Sequence, residues 1–267
     1  MSEMKLVTKA LVAAALLTSP AIVASAQGTG NLTLNINNVV GQSPLVLNKQ
    51  IYTNTSGEHF NITTMNYFIS NIRFTRKDGT EYTVPQDSSY FLIKESDPAT
   101  KKINLKVPED KYTAITFMIG VDSLRSTTDL RYRTDALDIS GGMIDGMYWT
   151  WNSGYIFFKL EGNCEQAKAD MTGQKKFRYH IGGFGGYSKP SLNNIKVVTV
   201  DLGERGLINT AGKKHVTVDL KADALKVFDG KVRMSIAQNP SVMFGAQSKQ
   251  ISDNYSDMFS HLSTTSE

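Results

Sequence analysis

Cysteine is almost absent from the 267-residue chain, Cys164 being its one thiol. A single thiol closes no intrachain disulfide and builds no Cys-rich metal centre, so stability has to come from a packed core. Histidine is nearly as scarce. The four imidazoles, His59, His180, His215 and His261, include no pair at the i, i+4 spacing of a zinc-binding helix. An excess of one charge is missing too: 29 Lys and Arg face 25 Asp and Glu. The basic doublets Lys101-Lys102, Lys175-Lys176 and Lys213-Lys214 are scattered beside turns and read as solvated loop charges. Nucleic-acid binding gathers basic side chains on one face, so no nucleic-acid partner is expected. With 40% apolar and 20% charged residues, composition also excludes a disordered tail, a collagen and a coiled coil, leaving an ordinary globular chain.

The first 26 residues read as a signal peptide rather than as part of the fold. Lys5 and Lys9 form a positive start, Ala10 to Val23 form a mostly apolar run, and Ala24-Ser25-Ala26 supplies a small-x-small cleavage pattern before Gln27. The alternative is a membrane helix, but the run falls short of the about 20 residues a bilayer requires, and no later stretch is long enough. The expectation is a single domain over residues 27–267, located in the periplasm or at the cell surface, with no membrane span.

Beyond residue 30 the dominant signal is alternation of apolar and polar residues, the mark of strands with one buried face. Leu32, Leu34 and Ile36 show it first, then Ile103, Leu105 and Val107, then Ile115, Phe117, Ile119 and Val121. It returns in Val198, Val200 and Leu202, in Val216, Val218 and Leu220, and in Val232, Met234 and Ile236. Turn signals such as Lys77-Asp78-Gly79 and Asp229-Gly230 separate these runs. The pattern predicts an all-β fold, a single antiparallel β-sandwich. Two stretches depart from it. The polar segment from Ser123 to Asp138 reads as an ordered excursion over the surface. Ile251, Tyr255, Met258, Phe259 and Leu262 recur at helical spacing behind Ser252 as an N-cap, predicting a short C-terminal helix docked on the sandwich.

Chemistry concentrates in Met147 to Lys159, which holds both tryptophans. Trp149 and Trp151 are two residues apart and share one side of an extended segment. A core aromatic pair explains them simply, but Tyr148, Asn152, Ser153 and Tyr155 bring polar groups that are costly to bury as filler. Farther on, alternation in Phe177-Arg178-Tyr179-His180-Ile181 places His180 opposite the apolar face. A lone strand histidine is either a hydrogen-bonded residue or a metal ligand, and both readings stay open. No Gly-x-Ser-x-Gly elbow supports a hydrolase, and Gly182-Gly183-Phe184-Gly185-Gly186 lacks the lysine and helix of a phosphate loop.

Taken in order, Tyr67-Phe68-Ile69-Ser70-Asn71-Ile72, Ile119-Gly120-Val121-Asp122-Ser123, Trp149-Thr150-Trp151-Asn152-Ser153-Gly154-Tyr155, Leu160-Glu161-Gly162, Tyr179-His180-Ile181-Gly182 and Asn254-Tyr255-Ser256-Asp257-Met258-Phe259 resemble the MbnP-like family of secreted copper-binding proteins. The likeness runs from about residue 30 to residue 262. It implies a β-sandwich holding one copper through histidine ligands, non-catalytic, with, in some members, a tryptophan oxidised to kynurenine by a partner di-haem cytochrome c peroxidase. By motif Trp149 matches the modified tryptophan and His180 a family histidine. Trp151 stands where copper-binding members can carry a histidine, which removes a ligand. His261 is a candidate second donor, with His59, His215, Met147 and Met243 as others. The site residues expected on this resemblance are His180, Trp149, Trp151 and His261. The competing expectation is a metal-free binding module that uses Trp149, Trp151, Tyr148 and Tyr155 as an aromatic platform for a glycan, peptide or protein.

Overall fold

Alternating segments pair into strands wherever one face can be covered by a second layer. In the computed structural model of the protein, residues 28–140, 145–149 and 154–267 are described, Lys213 by its backbone. The signal-peptide expectation and Trp151 lie outside these residues. The strands are β1 (Thr29–Val40), β2 (Ser43–Pro44), β3 (Tyr52–Thr53), β4 (His59–Arg76), β5 (Glu81–Thr83), β6 (Tyr90–Lys94), β7 (Lys102–Pro108) and β8 (Lys111–Ile119). They continue as β9 (Ile156–Cys164), β10 (Lys176–Gly182), β11 (Lys196–Asp201), β12 (Ile208–Asn209), β13 (His215–Asp223), β14 (Ser241–Val242) and β15 (Phe259–Ser266).

The smaller sheet runs β15-β13-β1-β2, with β7 also paired to β1. The larger runs β11-β8-β4-β9-β10-β14, and the long β4 also carries β3, β5 and β6. Leu32, Leu34 and Ile36 of β1 and Val216, Val218 and Leu220 of β13 are buried in the same core as Phe60, Met65, Tyr67 and Tyr179 of the larger sheet. The Tyr67 hydroxyl donates across the core to Asn38 Oδ1 at 2.7 Å, whereas the Tyr179 hydroxyl in the same layer is buried without a hydrogen-bond partner among the described residues. The expected sandwich is present but not purely antiparallel. β1 pairs with β13, and β10 with β14, in parallel. Long connections separate both pairs, and such connections permit parallel alignment where a two-residue turn does not.

Two local expectations change. Val232, Met234 and Ile236 alternate but build no strand, because side chains take over their backbone bonds. Asn254 Oδ1 accepts the Val232 N–H at 2.8 Å, and the buried Glu58 carboxylate accepts those of Ile236 and Ala237, each at 2.9 Å. The C-terminal helix exists as Ala246–Tyr255, capped by Gly245 rather than Ser252, and it ends before Met258. Phe259–Ser266 continues as β15 against β13. Phe259 faces the core in either conformation, and pairing with β13 supplies the ladder bonds that decide between them.

The excursion is ordered as expected. Its helix α1 (Ser123–Thr127) is capped by Asp122, whose Oδ1 accepts the Arg125 N–H at 2.9 Å, and short 3₁₀ turns follow at Leu130–Tyr132 and Asp135–Leu137. Beneath it lies a second hydrophobic cluster on the outer face of the larger sheet, including Phe68, Val121, Leu137, Tyr155, Phe157 and Phe184. The C-terminal helix, α2 (Ala246–Tyr255), is bound to the sheet through the buried Asn194. That amide donates to the Gly182 carbonyl at 2.7 Å and to Ser248 Oγ at 3.2 Å, and its Oδ1 accepts from Ser252 at 3.2 Å. Replacing Asn194 by Ala orphans buried polar groups, which cost about 1–3 kcal/mol each. Urea unfolding of Asn194→Ala is expected to show a stability loss of about 2 kcal/mol or more; a midpoint equal to wild type would contradict this role.

Candidate functional site

The hairpin of β9 and β10 shows how alternation builds a site. Phe177, Tyr179 and Ile181 point into the core, which sends His180 to the outer face, as read from the sequence. Opposite it, β9 turns Lys159 and Glu161 outward beside the buried Phe158 and Leu160. His180 Nε2 meets Glu161 Oε1 at 2.7 Å, with the side chains 15% and 25% exposed. The hydrogen bond from His180 holds the Glu161 carboxyl below its ordinary range; partial burial opposes this, and nearby Lys159 adds to it. The Lys159 ammonium reaches toward the Gly146 carbonyl at 3.5 Å.

Trp149 arrives from the end of the excursion. Its N–H donates to the Gly154 carbonyl at 2.9 Å, the Ile156 N–H donates to Met147 at 2.8 Å, and Tyr148 bridges to Tyr155. These bonds clamp residues 145–149 to 154–156. The indole rests on β10 at Gly182, the next residue after His180 on the same face of the strand. A Cβ at position 182 would stand 2.5 Å from Trp149 Cζ3 and 2.5 Å from the Tyr155 carbonyl oxygen, so only a bare backbone fits. Phe244 closes the other side, with ring centroids 5.7 Å apart. Beside this corner a cleft of about 270 Å³ is lined by Tyr148, Phe184, Tyr187 and Arg133, with Ser126, Thr127 and Gly154 completing it. Tyr187 is strongly exposed there.

The structure therefore brings Trp149 and His180 to one corner. It does not bring His261 there: that residue belongs to β15 in the smaller sheet, where its Nε2 lies 2.9 Å from Thr264 Oγ1 and its ring packs on Gly206. His215 is likewise in the smaller sheet, hydrogen-bonded to Thr33 at 2.9 Å. Tyr155 is not platform surface. It is fully buried, and its hydroxyl donates to the Leu137 carbonyl at 2.6 Å. Glu161, Gly182 and Phe244 were not anticipated as neighbours of His180 and Trp149. Alternation alone places Glu161 on an outer face, but the β9–β10 register that sets it against His180 is not written in either strand.

The donor set decides how far the corner suits copper. Among the described residues, His180 supplies one imidazole and Glu161 one carboxylate, Cys164 is buried, and no group of three His, Cys, Asp or Glu side chains converges. Copper centres draw on several imidazole, thiolate or thioether donors. The described residues do not fit such a centre.

Fold and site together define a two-sheet sandwich with an aromatic corner built on the outer face of a central hairpin. Among the described residues no helix is long and apolar enough to cross a membrane. Residues 29–244 match the MbnP family model, and the chain belongs to the MbnP family. Among solved structures it is similar to MbnP from Methylosinus trichosporium, at 15% identity over 82% of each chain with a TM-score of 0.54, a likeness of fold. No curated protein matches it.

The His180–Glu161 pair has a pH signature. Because the Glu161 carboxyl is depressed in the folded state, its contribution is full above the unfolded carboxyl value of about 4.3 and fades as pH falls through the lower folded value. Glu161→Gln is expected to lower stability at pH 7 and to converge on wild type in acid; thermal melts across pH 2–7 that stay parallel would contradict the pairing.

Proposed function

We propose that this MbnP-family protein acts outside the cytoplasm as a binding protein without turnover, and that its ligand docks at the aromatic corner independently of metal. The leader-like first 26 residues support the location. The observation that carries the mode of binding is the cleft of about 270 Å³ in which Tyr148 and the exposed Tyr187 present rings beside the Arg133 guanidinium, over the buried Phe184. Ring faces and edges with a single cation suit a flat ligand that offers both apolar surface and hydrogen-bond acceptors, such as a sugar ring or a peptide side chain. Trp149 backs this cleft through its bond to Gly154.

The second reading is the copper protein implied by the resemblance, and one observation favours it. Glu161 engages Nε2 of His180, the arrangement in which a carboxylate orients an imidazole and leaves Nδ1 to face a ligand. Kynurenine at Trp149 would extend that reading to the partner di-haem cytochrome c peroxidase. Elemental analysis and intact mass of the same secreted sample separate the two. The metal-independent reading predicts well under one copper per chain, unoxidised tryptophan, and an unchanged metal content in His180→Ala. One copper per chain, lost in His180→Ala, would overturn it in favour of copper.

A further inference from the structure

The edge of β6 is open where most sheet edges are covered. β6 pairs with β4 through Tyr67↔Ile93, Phe68↔Leu92, Ile69↔Phe91 and Ser70↔Tyr90. The ladder is bracketed by the Asn71 N–H donating to the Ser89 carbonyl and the Glu95 N–H donating to the Met65 carbonyl, each at 2.9 Å. Bonded pairs in an antiparallel ladder recur at every second residue, so Phe91 and Ile93 exchange bonds with β4. The backbone N–H and C=O groups of Tyr90 and Leu92 then point away from it. Two contacts agree with this phase. Phe68, opposite Leu92, gives its carbonyl to the Gly120 N–H of the strand on its other side at 3.1 Å, and the next outward group on β6, the Lys94 N–H, is taken by the Thr100 hydroxyl at 2.9 Å.

At Tyr90 and Leu92 no such cover exists among the described residues. Instead a groove of about 610 Å³ runs along the edge, walled on its far side by the excursion from Thr134 to Leu137 and by Tyr132. Unpaired strand edges recruit further strands, and natural proteins usually block them. Here the groove leaves a slot along the edge. The lip is selective. Lys102 has no ion pair among the described residues, Arg131 is bridged to the neighbouring Asp129, and Asp135 of the far wall is a carboxylate without an ion pair among the described residues. Asp87 on the same lip is already neutralised by Arg125. Leu137 and Ala136 offer apolar wall between the charges.

We propose that the open edge of β6 takes up an extended peptide strand with alternating apolar and acidic side chains, which hydrogen-bonds to Tyr90 and Leu92 and sets a carboxylate toward Lys102. The groove shares no lining residue with the cleft beside Tyr148, so this binding does not rest on the function proposed there. Five residues of β6 span about 17 Å, enough to pair with a short linear segment of a partner protein.

The test uses the isotopically labelled full-length mature protein and capped hexapeptides of alternating Val and Glu, with Val and Lys as the reversed-charge control. Amide exchange at Tyr90 and Leu92 is expected to slow by about tenfold or more with the Val/Glu peptide, while Phe91 and Ile93, already bonded, change little. Methylating the peptide's backbone nitrogens is expected to abolish the effect, and Lys102→Glu to weaken the Val/Glu peptide by about tenfold while admitting the Val/Lys one. Unchanged exchange at Tyr90 and Leu92, whether or not peptide binds elsewhere, overturns the proposal. So does protection that appears without peptide and grows with protein concentration, which would assign the edge to a second copy of the chain.

Discussion

The outer face of the larger sheet is organised by one steric constraint, the bare backbone at Gly182. Three elements converge on this residue: the Trp149 indole from the excursion, the Tyr155 carbonyl from the start of β9, and the Asn194 amide that holds α2. A methyl group at position 182 would meet both the indole and the carbonyl at 2.5 Å. Because neither backbone nor a packed ring can yield far, the missing side chain sets how closely the excursion approaches the sheet. The second hydrophobic cluster forms only at that distance. Burying aromatic residues such as Phe157 and Tyr155 contributes about 2 kcal/mol each before entropy is counted, enough to keep a segment without regular pairing in place.

Polar anchors complete what the cluster begins. Burial alone would raise the Asp122 carboxyl, yet hydrogen bonds from Tyr90, Asn71 and the Arg125 N–H outweigh it and hold the group below its usual range. Burial and the bond to Asp122 push the Tyr90 phenol up to about 12. Both groups therefore keep one protonation state through the neutral range, and the excursion is tied to β4 and β6 by a bond that does not switch with pH. Asn71 takes φ +51 to reach this network at the β4 bulge, a local strain of the kind that persists only where the surroundings over-determine it. The excursion so fixed forms a wall of the Tyr148 cleft and of the groove along β6.

How much of this was legible in the sequence follows from the range of each interaction. Alternation in Leu32-Leu34-Ile36 and Val216-Val218-Leu220 reports a buried face, which is local, and both runs are strands as expected. That the two pair in parallel depends on contacts between residues 184 positions apart, and period-two patterning carries no such information. The same limit explains Phe259: its apolar character fits a helix face and a strand face equally, and β13 made the choice. At the site, the outward direction of His180 was readable and its pairing with Glu161 was not. Trp149 was singled out for chemistry, yet what distinguishes it physically is the glycine it covers. The ordered motifs that resemble the MbnP-like family gave the family correctly, while His261, weighed as a second donor, lies on β15 in the smaller sheet.

The corner on the outer face of the larger sheet rests on three features. Here one imidazole is tied to a carboxylate, an indole is seated on a glycine, and a cleft lined by tyrosines opens beside them. Tryptophan fluorescence in a Trp151→Phe background, where Trp149 alone reports, tests the central constraint most directly. The account predicts a shielded emission that moves to the red and becomes open to acrylamide quenching in Gly182→Ala, because the added methyl displaces the indole from β10. Identical emission and quenching with and without the methyl would contradict it.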